Sequence, residues 1–299
     1  MTSANRSRSK SALLGRILTC LLAFGLLASA VFAEDLAETR KKAEQGEAAA
    51  QFNLGVMYDN GIGVPKDTVE AVKWYRKAAD QSNASAQYTL GGIYSYGKGV
   101  PKDAVEAVKW YRKAAEQGDA DGQFSLGVMY AYGDGVPKDE VEAVKWYRKS
   151  AEQGNDFAQS SLGGMYHNGT GVPKDKVGAV KWFRLAAEQG EARAQSMLGF
   201  MYAHGEGVPK DAAEAVKWYR KSAEQGDASA QFNLGVMYKD GDGVPKDEVL
   251  AHVWWNIAGA KGDEDAKKNL AIIEKQMTAE QKAEAMKLAR EMFARLEKK

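Results

Sequence analysis

The six prolines of this chain are separated by a constant interval of 36 residues, from Pro65 to Pro245. Six of the seven tryptophans keep the same interval, from Trp74 to Trp254, and most of the 31 glycines follow it. A fixed period of roughly 20 to 50 residues is the signature of a repeat protein, in which each repeat is one supersecondary unit. The chain is therefore expected to fold as an array of repeats rather than as one or two globular domains.

Each repeat is predicted to be a helix–turn–helix. In the first repeat, residues 48–60 have helical periodicity, and Gly61 permits the left-handed residue that ends a helix. The segment that follows, up to Pro65, cannot remain helical, so a second helix is expected to begin at Asp67. The six repeats are 47–82, 83–118, 119–154, 155–190, 191–226 and 227–262.

The second helix of each repeat has a wide apolar face. In the first repeat, Ala71, Trp74 and Ala78 follow the spacing i, i+3, i+7, which places them on one side of the helix. A fixed 36-residue step spreads the tryptophans along an axis, whereas an aromatic ligand cage would need them to converge. Core packing is therefore their expected role.

The start of each second helix carries a predicted capping box. Asp67 and Glu70 have the required spacing, in which each side chain bonds a backbone N–H near the other residue. The pattern recurs in three further repeats. It fails in the other two, where the helix start is expected to be weaker; these pairs are Asp175/Gly178 and Asp247/Leu250.

A single repeat cannot bury its apolar faces alone, but stacked repeats can. The predicted fold class is all-α: an αα-superhelical solenoid of six 36-residue helix–turn–helix repeats with capping helices at both ends. The N-terminal capping helix is expected at 34–46 and the C-terminal capping helices at 263–299. Within the latter, Thr278 and Gln281 should cap an amphipathic helix that reaches about Leu296.

Residues 1–33 have the pattern of a secretory signal peptide. Four basic residues precede an uncharged stretch from Ile17 to Ala33, which ends in small residues. Cleavage near Ala33 would leave a periplasmic or secreted protein without stable membrane insertion, and would remove Cys20, the one cysteine. The alternative is an uncleaved membrane anchor, for which this stretch is at the short limit.

Charge and composition exclude several classes of protein. A net charge of +1 argues against a strongly basic nucleic-acid binder. A single cysteine excludes a disulfide scaffold and a cysteine-rich zinc site. The recurring basic residues of the second helices, such as Lys73 and Lys77, complement the helix dipole. No cofactor is expected, and the mature chain is expected to be a monomer.

Comparison of the repeats separates a constant face of the first helix from a variable one. The positions of Gln51, Leu54, Gly55 and Tyr58 never change, and they share one arc of the helix. The freely varying positions lie on the opposite arc. The constant arc is therefore expected to be packed, and the variable arc to be exposed on the concave surface of the solenoid.

The variable arc carries the candidate partner-binding residues. Phe157 and Phe200 place large apolar groups where other repeats have small or polar ones, and aromatic and arginine side chains are favoured anchors of interfaces. We therefore hypothesise a groove over repeats three to five that holds a peptide or protein segment; neutral variation on a solvated face is the alternative. The candidate residues are Tyr96, Asp121, Phe124, Tyr132, Phe157, His167, Arg193, Phe200 and His204.

The sequence indicates no metal site and no catalytic site. His167 and His204 lie on adjacent first helices, but no pair of ligands has the i, i+4 spacing of a helical metal site. Asp240 begins a segment like a calcium loop, which then fails at Val244 and Ala251. No nucleophile is accompanied by an adjacent base.

The repeat pattern A…L-G-x-x-Y…G-x-G-V…D…A…W…A-A…G resembles the Sel1-like repeat, a relative of the tetratricopeptide repeat. The resemblance covers all six repeats and implies an αα superhelix used as a protein-interaction scaffold, commonly in bacterial envelope or secreted proteins. In the first repeat the pattern is carried by Ala50, Leu54, Gly55, Tyr58, Gly61, Gly63, Val64, Asp67, Ala71, Trp74, Ala78 and Ala79.

The expected function is that of a non-catalytic scaffold or adaptor of the bacterial envelope, which binds a protein or peptide partner on its concave face. Part of the family is cysteine-rich, and resemblance to that branch implies the alternative of a β-lactam-binding or β-lactamase-like activity. The mature chain has no cysteine, unlike that branch. A second alternative is a cell-wall glycan binder, in which Tyr96 and Tyr132 would stack on sugar rings.

Overall fold

A computed structural model describes residues 36–296, and within them every regular element is an α-helix. The leader predicted at 1–33 lies outside the described residues. The α1 helix comprises described residues 36–44. The other helices are α2 (Ala48–Asn60), α3 (Thr68–Asp80), α4 (Ala84–Tyr96), α5 (Ala104–Glu116), α6 (Ala120–Tyr132), α7 (Glu140–Glu152), α8 (Asp156–Asn168), α9 (Lys176–Glu188), α10 (Ala192–His204), α11 (Ala212–Glu224), α12 (Ala228–Asp240), α13 (Glu248–Ala260), α14 (Glu264–Ile273) and α15 (Ala279–Leu296).

The prediction of an all-α array of helix–turn–helix repeats, an α-solenoid, is confirmed. First helices end at glycines in the left-handed region, as at Gly61, where φ is 73°. The backbone N–H of Gly61 then bonds the carbonyl of Met57. The described residues pack as two compact bodies: 36–122 with 134–136 (the N-terminal body), and 123–133 with 137–296 (the C-terminal body).

The capping box predicted for the second helices is only half formed. Asp67 accepts a hydrogen bond from the Glu70 backbone N–H at 2.9 Å, as expected. Glu70 does not bond back, because the Asp67 N–H donates to the carbonyl of Tyr58 in the preceding helix at 2.9 Å, and the Glu70 carboxylate pairs with Lys73 at 2.7 Å. A reciprocal capping box forms instead at the start of α15, between Thr278 and Gln281.

Close contact between the two helices of a repeat depends on the invariant glycine. A Cβ added at Gly199 of α10 would lie 2.8 Å from Cδ1 of Tyr219 in α11, a distance that real Cβ atoms do not show. Tyr219 is buried beside this glycine, together with Leu198 of the constant face. Glycine at this position therefore allows an aromatic ring to lie directly against the first helix.

The end of the chain covers the last repeat. Helix α13 packs against both α14 and α15, and His252 of α13 is fully buried. His252 bonds the carboxylate of Glu274 at 3.1 Å. Among the described helices, none has the length and apolar character that crossing a bilayer requires.

Candidate functional site

The candidate site lies on the exposed face of the first helices in the C-terminal body. On α8, this face follows the spacing i, i+4, i+7, i+11 from Phe157 to Asn168, and on α10 it runs from Arg193 to His204. Both helices have 13 residues, and the bounds of α10 follow those of α8 by 36 positions. Phe157 and Arg193 are therefore equivalent residues of successive first helices.

An aromatic cluster forms at the N-terminal end of this face. The ring of Phe124 on α6 lies 5.7 Å from the ring of Tyr147 and 6.1 Å from the ring of Phe157, between centroids. Phe124 is half-buried, whereas Phe157 keeps 57% of its surface exposed. The Phe157 ring thus continues the aromatic layer out to solvent. Exposure of so much apolar surface to water is energetically unfavourable.

Arg193 adds a positive charge beside this cluster. Burial raises the pKa of Tyr147, and the nearby charge of Arg193 opposes that rise, so the guanidinium acts within electrostatic range of the Tyr147 hydroxyl. Tyr132, which is 74% exposed, further raises the pKa of the same hydroxyl. Among the described residues, the guanidinium of Arg193 has no hydrogen-bond or ion-pair partner.

Two carboxylates at the starts of these helices accept hydrogen bonds from the backbone. Glu191 accepts hydrogen bonds from the backbone N–H groups of Arg193 and Ala194 at the start of α10. Asp156 accepts from the backbone N–H of Phe157 at 3.0 Å. These anions stabilise helix N-termini and leave the Arg193 charge without a partner side chain.

A second cluster lies at the C-terminal end of the same face. Nε2 of His167 is 2.8 Å from Oε2 of Glu206, whose other oxygen pairs with Nζ of Lys176 at 3.0 Å. The ring of Phe200 contacts the His167 ring edge-on at 6.4 Å and lies 4.2 Å from the ring of His204. The hydrogen bonds from His167 and Lys176 lower the pKa of Glu206.

The hydrogen bonds of the two histidines define what each can offer a ligand. Nδ1 of His204 donates to the carbonyl of Phe200 at 2.9 Å, so Nε2 is left as an acceptor in the neutral ring. Both ring nitrogens of His167 are engaged, one by Asn168 and the other by Glu206. His167 is therefore a structural link between the fourth repeat and the turn of the fifth.

The structure brings seven of the nine predicted residues into the C-terminal body: Phe124, Tyr132, Phe157, His167, Arg193, Phe200 and His204. Tyr96 and Asp121 belong to the N-terminal body, both exposed, with Tyr96 at 77%. Phe200 is half-buried against the core of the C-terminal body rather than fully on the surface. The Phe200 side chain is more exposed than the core residues, but less exposed than the sequence pattern predicted.

Three residues of the site escaped the sequence analysis: Tyr147, Lys176 and Glu206. Tyr147 lies on a second helix, at a position that is aromatic in every repeat, and that pattern gave no signal that Arg193 would influence its hydroxyl. Lys176 and Glu206 stand at variable positions of the second helix and the turn, which the comparison of first helices did not cover. A search for opposite charges at variable positions of neighbouring repeats would have indicated this pair.

The arrangement suits binding. Exposed aromatic rings, an unpaired guanidinium and a histidine acceptor can hold a ligand through apolar contact and hydrogen bonds. Within residues 36–296, no three His, Cys, Asp or Glu side chains converge in a geometry that could hold a metal ion.

These features define the class of tandem helical-repeat proteins, which present a long surface built from successive helices. A profile of the Sel1 repeat matches the chain six times, at residues 48–83, 84–119, 120–155, 156–191, 192–227 and 228–263. The chain belongs to the Sel1 repeat family. Proteins of this repeat class are generally protein-interaction scaffolds.

Solved structures of similar proteins support the assignment. The protective antigen c5321 of uropathogenic Escherichia coli, which displays an SLR fold, is 40% identical over 88% of this chain, with a TM-score of 0.78. The chain spans 56% of the length of that antigen. A Sel1 repeat protein from Oxalobacter formigenes is 38% identical over 77% of this chain and 96% of its own, with a TM-score of 0.66. No curated protein sequence matches the chain.

Proposed function

We propose that this protein is a non-catalytic scaffold of the bacterial envelope, which binds a segment of a protein partner on the first-helix face over repeats three to five. The observation that carries the proposal is the exposure of Phe157, whose ring continues the Phe124–Tyr147 aromatic layer into solvent. Large apolar groups of this kind are stabilised when a partner covers them. In the proposed arrangement this face is the concave surface of the solenoid.

Alanine substitutions on the face test the proposal. The partner is first captured by crosslinking and pulldown from the native envelope, and its affinity is then measured for a Phe157→Ala, Phe200→Ala, Tyr132→Ala triple variant. Loss of at least about tenfold in affinity is expected if these rings are interface anchors. A change of less than about twofold would place the partner elsewhere.

A matched control keeps this test specific. Val69 is a large apolar residue of α3 that is 55% exposed, close to the exposure of Phe157, but it lies on a second helix. Val69→Ala should leave the affinity unchanged, because it removes exposed apolar surface outside the proposed face. Equal losses in both variants would indicate a general effect on the fold.

The non-catalytic part of the proposal has its own test. Hydrolysis of a chromogenic β-lactam by the purified mature chain, above a matched blank, would contradict it.

The envelope location is proposed from the leader sequence and from the antigen to which the chain is similar. Export with cleavage near Ala33 is tested by cell fractionation and by N-terminal sequencing of the mature protein. A mature chain that begins close to Glu34 in the periplasm or the medium is expected. A chain that begins at Met1 in the membrane fraction would favour the uncleaved anchor. Light scattering of the mature chain tests the proposed monomer.

A second candidate function is binding of cell-wall glycan. Tyr96 and Tyr132 end α4 and α6 and keep 77% and 74% of their surfaces exposed, so each ring is accessible to a sugar. Pulldown with purified peptidoglycan tests this candidate. Retention of the protein that is lost in a Tyr96→Ala, Tyr132→Ala variant would favour the glycan over a protein segment.

A further inference from the structure

The solvent-exposed side of α9 differs from that of the equivalent helices in other repeats. We infer that it is a second interaction surface, on which an amphipathic helix of a partner protein packs as α15 packs on α13. This surface, the α9 face, consists of Val177, Gly178, Lys181, Trp182 and Leu185. It goes beyond the proposed function, because it lies on a second helix and shares no residue with the first-helix face.

The equivalent helices cover their tryptophan with a lysine. Nζ of Lys149 in α7 lies 4.1 Å from the ring centroid of Trp146. In α9 the lysine is replaced by Leu185, which is 45% exposed, and among the described residues no cation lies over the ring of Trp182. Trp182 is half-buried, whereas the covered tryptophans are buried. The other covered pairs are Lys77–Trp74, Lys113–Trp110 and Lys221–Trp218.

The ion pair of the equivalent helices is also missing from α9. Glu142 and Lys145 pair at 2.8 Å in α7, and the same i, i+3 pair forms in α3, α5 and α11. Gly178 takes the place of this glutamate, so Lys181 has no ion-pair or hydrogen-bond partner in the part of the chain that the structure describes. The α9 face therefore has an uncharged stripe, at the spacing i, i+4, i+7 from Gly178, with an unpaired lysine beside it.

The sixth repeat shows what covers a face of this kind. Val253 and Ile257 of α13 stand at the two lysine positions just described, and both are fully buried. They belong to one hydrophobic cluster with Ala285 and Ala289 of α15, an 18-residue helix that contacts α13. An aliphatic residue in place of the stacking lysine thus accompanies a helix packed on the second helix. The occupant inferred for the α9 face is therefore also a helix.

The differences between α9 and α13 define the chemistry of the partner helix. Ala285 and Ala289 are small and one turn apart, which lets two helices approach closely, and a similar pair is expected opposite Leu185. Where α13 has the apolar Val253, α9 has Lys181, whose equivalents each pair with a carboxylate. The partner helix is therefore expected to carry small or aliphatic residues on one side and an acid beside them.

The other cations of α9 already have partners within the chain. Nζ of Lys176 pairs with Glu206 at 3.0 Å, and Arg184 donates a hydrogen bond to the hydroxyl of Tyr202. The acid at Glu188 recurs in every repeat but the last, so it does not distinguish α9. The carboxylate is inferred for the one pair with Lys181, and not from the net charge of the surface.

Synthetic helices test the inference. Each peptide has 18 residues, the length of α15, with Ala and Leu on one side and either Glu or Lys at the flanking position that would meet Lys181. A third peptide carries a central proline, which breaks the helix. Affinities for the mature protein are measured by fluorescence anisotropy. The glutamate helix should bind about threefold more tightly than the lysine helix, as expected for one exposed ion pair, and at least about tenfold more tightly than the proline peptide.

Variants that copy an equivalent helix separate binding from a general effect on the fold. Gly178→Glu with Leu185→Lys gives α9 the ion pair and the lysine stack of α7, so this double variant should fold. It should bind the glutamate helix at least about tenfold more weakly than the wild type. The reciprocal change, Glu142→Gly with Lys149→Leu, gives α7 the features of α9. Added to the double variant, it should restore binding of the glutamate helix.

Three outcomes would overturn the inference. The first is equal binding of the glutamate helix by the wild type and the double variant, or no binding of any helix. The second is binding of the proline peptide as tightly as the glutamate helix. The third is a wild-type dimer in light scattering that the double variant makes monomeric, since a second copy of the chain would then cover this face. Phe157→Ala should leave helix binding unchanged, so these failures are distinct from failure of the proposed function.

Discussion

Gln225 and Gln195 are joined by a side-chain hydrogen bond of 2.9 Å, from Nε2 of the first to Oε1 of the second. Gln225 Nε2 also donates to the carbonyl of Gly190 at 2.8 Å, and Gln195 Nε2 donates to the carbonyl of Ala187. These bonds link the end of one second helix to the packed face of the preceding first helix. The same glutamine pair recurs as Gln81–Gln51, Gln117–Gln87, Gln153–Gln123 and Gln189–Gln159.

The last repeat breaks this glutamine ladder. Lys261 stands where the ladder requires glutamine, and its Nζ bonds only the carbonyl of Gly226 at 2.6 Å. Oε1 of Gln231, which is fully buried, is left without a donor. Lys261→Gln should supply that donor and raise the free energy of unfolding by about 1 kcal/mol. Urea denaturation measures the change.

Lys275→Gln is the control, since it removes the charge of an exposed lysine without reaching a buried acceptor. It should change the free energy of unfolding by only a few tenths of a kcal/mol. An equal gain in both variants would assign the effect to net charge and not to the hydrogen bond.

Adjacent glycines on α8 should respond to alanine with opposite signs. A Cβ at Gly163 would lie 2.9 Å from Cδ1 of Phe183, whereas a Cβ at Gly164 meets no atom within 4 Å. Gly164→Ala should stabilise by about 0.5–1 kcal/mol, because alanine loses less conformational entropy in a helix. Gly163→Ala should destabilise by about 1 kcal/mol or more, because the ring must shift. Thermal unfolding of the two variants should therefore bracket the wild type, and a gain in both would contradict the packing at Phe183.

The fold was predictable because the signals that determine it are local and repeated. Each signal acts within one repeat: the left-handed turn at Gly61, the cap at Asp67 and the apolar face around Trp74. Each recurs in all six repeats of the sequence, sometimes with a substitution. The one local error, the reciprocal capping box, arose because the Asp67 N–H is taken by Tyr58 of the preceding helix. That competition depends on the path of the turn, which the spacing of residues does not specify.

The candidate site was predictable only in part because its contacts join different repeats at positions that do not recur. The pairing of His167 with Glu206 spans 39 residues and occurs once among the described residues. Phe200 was expected on the surface, but its ring fills space between His167 and His204. A side chain larger than its equivalents can either project or fold against its neighbours, and the identity of those neighbours decides which occurs.

Removal of a buried hydroxyl should stabilise the protein and change its response to alkali. Tyr219 Oη is buried without a hydrogen-bond partner, and Phe183 occupies the equivalent position of the preceding repeat. Tyr219→Phe should raise the free energy of unfolding by about 1 kcal/mol at neutral pH. Tyr238→Phe is the contrast, since it removes a hydroxyl that accepts from Arg220 at 2.6 Å, and it should destabilise.

The pH dependence follows from the ionisation of the same group. Burial raises the pKa of Tyr219, so the folded state holds the phenolic proton more tightly than the unfolded state does. This contribution to stability is fully present below about pH 10, the ordinary pKa of tyrosine, and is lost as the pH rises further. Wild type minus Tyr219→Phe stability should therefore fall between about pH 10 and pH 12. A constant difference over that range would contradict the assignment.

The half-formed cap predicts unequal roles for the two acids at the start of α11. Asp211 accepts from the Glu214 N–H at 2.9 Å, so Asp211→Ala should cost about 1 kcal/mol of unfolding free energy. Glu214 pairs only with Lys217 at 2.8 Å in an exposed i, i+3 contact, so Glu214→Ala should cost about 0.3 kcal/mol. A reciprocal capping box would make the two losses similar, but the Asp211 N–H already donates to the carbonyl of Tyr202 at 2.9 Å. Urea denaturation of both variants decides between the two arrangements, since equal losses would require a bond from the Glu214 carboxylate to Asp211.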